Sequence, residues 1–307
     1  MTKLAVEFAG IKAKNPVFTA SGTCGYGREL NEIFPIERLG GMMVKGTTLA
    51  PRLGNDGPRI AEAPAGVLNC VGLQNPGLDN VLAEQLPWVL QHDVAVLMNI
   101  AGGEPADYAE IARRVNDVPG LAGLEVNISC PNVKAGGMAH GANPQTAAAV
   151  VSAVREATKL PLVVKLSPNV TDITEIARAV EAAGADAVSL VNTFLAMVID
   201  VKRRKPLLGN VTGGLSGPAI RPIAVRMVYQ VAQAGKIPII GMGGITCAED
   251  ALQCMLAGAN AVAVAAATMS DPLAPLKIIE GLDLWLEHEG VADINEIIGA
   301  ALPGGGR

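Results

Sequence analysis

Pro238-Ile-Ile-Gly-Met242, Gly243-Gly-Ile-Thr246, the helical stretch Ala248–Ala257, Gly258, and then Ala261-Val-Ala-Val-Ala265 decide the fold of this chain. They read as strand, glycine turn, helix, helix stop and second strand. A short apolar run with no alternation suits a strand buried on both faces, as in a parallel sheet. The same signature recurs upstream at Val17–Ser21, Met42–Lys45, Val94–Ile100, Leu124–Ser129, Leu162–Leu166 and Ala187–Asn192, eight runs in all. Helical patterns lie between several of them. They are Asp107–Val115, Pro144–Thr158 behind Asn143, and Asp172–Ala183 opened by Thr171 and closed by Gly184. Eight strand–helix repeats predict a (β/α)8 TIM barrel, with a doubly wound sheet as the rival. Residues 46–93 and 193–237 are too long for one helix each and are rich in Gly, Pro and Asn, so they are expected to be functional loops or lids. No composition break splits the chain, which predicts one domain over 1–307.

Composition narrows the function. Of 307 residues, half are apolar, which excludes a disordered chain. The net charge is −5 and the longest basic run is Lys202-Arg-Arg-Lys205, so a nucleic-acid partner is not expected. No apolar run reaches membrane-span length, and Met1–Glu7 lacks a signal-peptide core, so the expectation is a cytoplasmic protein with no membrane association. The five cysteines (24, 70, 130, 247, 254) form no C-x-x-C pair and suit free thiols. Thirty-five glycines suggest tight turns and backbone lying close to a ligand.

A barrel binds its ligand at the C-terminal ends of the strands. Those ends present Ser21, Lys45-Gly46, Asn99, Asn127–Asn132, Lys165, Asn192-Thr193, Gly243-Gly244 and Ala265–Thr268. They carry two lysines and four asparagines, and no Asp, Glu or His. A carboxylate pair, a Ser-His-Asp set and a metal site are therefore not expected. Asparagines and lysines suit a flat anionic heterocycle with carbonyls and ring N–H groups. Gly243-Gly244-Ile245 is either a phosphate nest or a plain βα turn. Lys165 is either a partner for an anionic ligand or a Schiff-base amine. Cys130 is either a base or nucleophile, or a small buried filler. Cys24 and Cys70 stay open on the same grounds, while packing accounts for Cys247 and Cys254.

Asn127-Ile-Ser-Cys130-Pro-Asn132, Asn69-Cys-Val-Gly-Leu-Gln-Asn-Pro-Gly77, Lys45-Gly-Thr-Thr-Leu49 and Gly213-Gly-Leu-Ser-Gly-Pro-Ala219 together resemble the dihydroorotate dehydrogenases. The likeness runs from about residue 4 to 285 and is nearest to the NAD-linked class 1B catalytic subunit. That form has cysteine where the quinone-linked class has serine, carries no membrane-docking extension, and shares the Gly-Leu-Gln-Asn-Pro-Gly loop. The resemblance implies an FMN barrel that oxidises dihydroorotate to orotate on the way to UMP. It also implies a homodimer within a heterotetramer, whose electron-transfer subunit carries FAD and a 2Fe–2S cluster and reduces NAD. By resemblance, Cys130 is the catalytic base. FMN falls to Ser21, Lys45, Gly46, Asn99, Asn127, Lys165, Val191, Gly217, Gly243, Gly244, Ala265 and Ala266. Substrate falls to Lys45, Asn69, Cys70, Val71, Gly72, Leu73, Asn127, Asn192 and Thr193, with Lys134–Gly141 as a lid.

Two departures stand out. Ala265-Ala266 replace the family's Gly-Thr or Gly-Ser at the phosphate, which predicts FMN binding weaker by roughly tenfold or somewhat more unless Thr268 substitutes. Cys70 replaces the usual alanine. The rival readings are an FMN barrel that reduces another pyrimidine, and a barrel that has lost FMN and serves in binding or assembly.

Overall fold

The computed structural model describes residues 2–129 and 138–305. Among them, eight parallel strands close a TIM barrel. They are β1 (Val17–Thr19), β2 (Gly41–Thr47), β3 (Ala95–Ile100), β4 (Leu121–Asn127), β5 (Leu162–Lys165), β6 (Ala187–Leu190), β7 (Ile239–Met242) and β8 (Ala261–Val264). Each strand pairs with the next in sequence, and β8 returns to β1. Each apolar run read from the sequence overlaps one strand, although β2 begins at Gly41 and ends at Thr47, and β4 begins three residues earlier than read, at Leu121. The reason is burial: Val44, Leu97, Val126, Val164, Val188, Ile240 and Val262 are fully buried, packed between barrel interior and helix ring. Each such side chain contributes about 1.5–3 kcal/mol relative to exposure.

The helices begin where local chemistry dictates. The Asn143 side chain accepts from the Gln145 and Thr146 N–H groups ahead of helix Pro144–Ala157. Helix Ile173–Ala182 is capped by Asp172, not by Thr171 as expected, because the Asp172 carboxylate accepts from Thr174 N–H. Its buried Ile173, Ile176, Ala177 and Val180 form one apolar stripe against the barrel. At the end opposite the mouth, the hairpin Val6–Phe8 and Ile11–Ala13 buries Phe8 near Phe18.

The long segments are not loops or lids throughout: residues 78–89 and Arg221–Ala234 are helical, because Leu78, Val81, Leu86 and Val89 in the first and Ala224 and Val228 in the second pack into the core, and the rest holds strands. Phe194–Ala196, Gly213–Ser216, Gly66–Asn69 and Ile60–Ala63 form one antiparallel sheet in that order. It joins the two segments expected to be lids, with Asn69 opposite Gly214 and Val67 opposite Ser216. Among the described residues, no helix is long and apolar enough to cross a membrane.

Candidate active site

The sheet and the eight strand ends enclose a pocket holding about 1260 Å³ of empty space, its mouth included. Ser21, Lys45, Gly46, Asn99, Asn127, Lys165, Val191, Gly217, Gly243, Gly244, Ala265 and Ala266 all line it. So do Asn69, Val71, Gly72, Leu73, Asn192 and Thr193. Sequence reading missed Ile60, Val67 and Ser216, which the antiparallel sheet contributes to the wall. Among the described residues, no group of His, Cys, Asp and Glu could hold a metal ion.

Two cysteine expectations change. Cys70 is absent from the pocket wall and fully buried in a satellite cluster with Leu68 and Leu208. Extended backbone turns successive side chains to opposite sides, so Asn69 and Val71 face the pocket while Cys70 faces away. Cys247, expected to be packed on a helix, precedes helix Ala248–Leu256 and is exposed. Cys24 and Cys254 are buried, and burial pushes their thiols up to about 11 and about 12. Cys130 lies outside the described residues, as do 131–137 of the strand-end loop and lid. The described end of that segment, Met138–Gly141, is one helical turn, where His140 Nε2 lies 2.8 Å from the Gly103 carbonyl.

A chain of polar contacts crosses the pocket floor. Asn192 Nδ2 donates to Ser129 Oγ at 2.8 Å, and Ser129 Oγ donates to Asn127 Oδ1 at 3.2 Å. Asn127 Nδ2 reaches Asn99 Oδ1 at 3.5 Å, and Asn99 Nδ2 donates to Glu125 at 2.5 Å. Lys165 is almost wholly buried, with Nζ 3.5 Å from Ser21 Oγ and 3.8 Å from Glu125 Oε1. Glu125 is the residue the strand-end inventory missed. It sits one inward-facing position below Asn127 on β4, and a charge inside an apolar run was the available signal.

At the β7 end, Gly243 and Gly244 have φ of 129° and 75°. A Cβ on Gly244 would lie 2.8 Å from both Arg221 Cβ and the Gly217 carbonyl. Arg221 bonds Asp250 at 2.7 Å, and the same carboxylate accepts from Thr246 N–H and Oγ1 at 2.9 and 2.7 Å. Thr246 lines the pocket, so Asp250 anchors the turn from behind. The hydroxyl of Thr268 does not substitute at the pocket, because it donates to the Ala265 carbonyl at 2.8 Å. Ala265 and Ala266 therefore offer an anion only backbone groups.

Burial raises the Asp250 carboxyl, but the Thr246 hydrogen bonds and the Arg221 charge outweigh it and hold it below its usual 3.8. A depressed carboxyl stabilises the fold above its unfolded value, near 3.9, and that contribution is lost as pH falls through the lowered folded value. Asp250→Asn is expected to cost about 1–3 kcal/mol near neutral pH. It should also flatten the acid limb below about pH 4. Thermal melts from pH 3 to 7 check both effects, and parallel curves for variant and parent would refute the assignment.

The comparisons agree on one family. The family model described as Dihydroorotate dehydrogenase matches residues 3–286. The chain is 57% identical over 304 residues to the "Dihydroorotate dehydrogenase B (NAD(+)), catalytic subunit" of Desulforudis audaxviator, covering 99% of both chains. It is 53% identical to the protein of that name from Geotalea uraniireducens, covering 97% of this chain and 98% of the relative. The one from Geobacillus sp. is 51% identical over all of this chain and 98% of its own. The chain belongs to the dihydroorotate dehydrogenase family.

Proposed function

We propose that this chain oxidises dihydroorotate to orotate in pyrimidine biosynthesis, as the FMN-dependent catalytic subunit of an NAD-linked enzyme. One observation carries the reading: four asparagines (69, 99, 127 and 192), two lysines and a glycine turn surround a single pocket. That donor set fits FMN and a substrate carrying ring N–H groups, carbonyls and a carboxylate.

The paired positive φ values of Gly243 and Gly244, both in the pocket wall, suit a turn whose backbone N–H groups would meet a phosphate. Asn99, Asn127 and Lys165, which line the pocket, would hold the flavin ring. Asn69, Asn127, Asn192 and Thr193 orient the substrate, and Lys45 supplies positive charge beside both molecules. When bound, FMN supplies a two-electron acceptor for the hydrogen leaving C6 as hydride. Cys130, as thiolate, takes the C5 proton. The chain works in the cytoplasm, in a homodimer within a heterotetramer. Its electron-transfer subunit carries FAD and a 2Fe–2S cluster and passes electrons to NAD.

The test is an anaerobic visible spectrum of the FMN-reconstituted chain before and after dihydroorotate. The expected result is a flavin band that bleaches. A band that ignores dihydroorotate but bleaches with another dihydropyrimidine would move the substrate. A protein that stays colourless would overturn the reading.

A further inference from the structure

We infer that Glu125 is a positioning residue, the buried counter-charge that sets how Lys165 and Asn99 meet the cofactor and so the potential of bound FMN. The inference rests on the reading that FMN occupies this pocket.

Glu125 has no exposed surface and does not reach the pocket wall. It stands two residues before Asn127 on β4, hence on the same face of the strand. Its neighbours come from three other strands. Oε2 accepts from Asn99 Nδ2 on β3 at 2.5 Å, and Oε1 accepts from Ser189 Oγ on β6 at 2.7 Å. The Lys165 ammonium on β5 lies 3.8 Å from Oε1. A buried carboxylate is costly unless it is paired and hydrogen-bonded, and here it is both. Two of its three partners, Asn99 and Lys165, line the pocket.

The first consequence concerns orientation. An ionised carboxylate only accepts hydrogen bonds, so it holds the Asn99 amide nitrogen downward. The Asn99 oxygen is then turned toward Gly46, where an added Cβ would lie 2.7 Å from it. Asn99 Oδ1, which also takes the long Asn127 amide contact at 3.5 Å, is therefore the acceptor at this level of the site, with its second lone pair suited to a ring N–H. The second consequence concerns charge. Lys165 alone would set an uncompensated cation beside the ring and strongly favour its reduced, anionic form. With Glu125 behind it the pair is close to neutral, and that preference is weaker. Low dielectric makes the balance effective at this range.

Glu125→Gln keeps the size and removes the charge; its amide oxygen can still accept from Asn99 while its NH2 donates to the Ser189 hydroxyl. The full chain, reconstituted with FMN, is titrated anaerobically against a redox dye. In E125Q the affinity ratio should shift about tenfold toward reduced FMN, a midpoint higher by about 30 mV for a two-electron couple. Reduction by dihydroorotate should not slow, whereas electron delivery to a low-potential acceptor should. Glu125→Asp draws the carboxylate back by one carbon and should raise the midpoint by less, which supplies a second reading if E125Q folds poorly. Ser189→Ala removes a hydrogen bond from the same carboxylate without touching its charge and should leave the midpoint in place.

An E125Q midpoint that is unchanged or lower would overturn the inference, as would an equal rise in S189A, which would mark a packing effect only. A wild-type chain that takes up no FMN would overturn the functional reading and this inference together. FMN uptake with no effect of Glu125 removes the inference alone.

Discussion

Cys130→Ala is expected to keep the flavin band and to lose turnover by about 10²–10⁴-fold, the range for removal of a positioned general base. The other cysteines offer no substitute. Burial holds Cys24 and Cys254 at about 11 and about 12, so neither offers thiolate near neutral pH. Cys70 is sealed in its satellite cluster, and Cys247 is exposed away from the pocket wall. Cys130 directly follows Ser129, whose hydroxyl links Asn127 to Asn192, both in the pocket wall. A base must be unprotonated, so the rate of flavin bleaching rises with pH through the thiol pKa in the parent. In Cys130→Ser it rises only at higher pH, because a hydroxyl gives up its proton less readily than a thiol. Stopped-flow bleaching by dihydroorotate measures the step directly. A full-rate C130A enzyme would remove Cys130 from the chemistry.

The second large effect is expected at the glycine turn. Gly244→Val should weaken FMN binding by at least about 100-fold, the equivalent of about 2.8 kcal/mol. The residue has φ of 75°, a conformation that costs a side chain about 1–2 kcal/mol. Its Cβ would also lie 2.8 Å from Arg221 Cβ and from the Gly217 carbonyl. Overpacking of this kind typically adds about 1–3 kcal/mol. The turn can relieve both only by moving, and Gly243, Gly244 and Thr246 move with it. FMN titration followed by fluorescence reads the affinity, and circular dichroism checks that the barrel persists. Gly244→Ala should lie between parent and valine variant. A Gly244→Val chain with parental FMN affinity and an intact fold would show that the turn is no phosphate cradle.

Much of this was legible in the residues because it is local. Each barrel strand is a short apolar run, and burial on both faces requires that pattern whatever its neighbours are. The turn at 243–244 is legible for a similar reason: paired glycines between a strand and a helix supply the left-handed backbone that such a turn needs. Barrel closure then brings the strand ends together, so Lys45, Asn99, Asn127, Lys165 and Asn192 meet although they are far apart in the chain. Helix starts were less secure. Thr171 and Asp172 are both fair caps, and the geometry of the entering backbone selects the aspartate.

The remainder depended on contacts that no local pattern encodes. Whether residues 60–69 and 194–216 are separate lids or one sheet depends on long-range pairing, Asn69 with Gly214 and Val67 with Ser216. That sheet sets which side of the extended segment faces the ligand, and so puts Asn69 in the pocket and Cys70 outside it. The parity of β4 puts Glu125 on the face of Asn127, a signal the strand-end reading overlooked. Its role rests on partners from β3, β5 and β6, which only the closed barrel brings within reach. The sequence alone thus determined the eight barrel strands, four of the helices and most of the chemistry of the mouth, since burial and backbone freedom act over a few residues. Tertiary structure decided which charges are paired and which side chains turn inward, because those follow from strand register and closure across the whole chain.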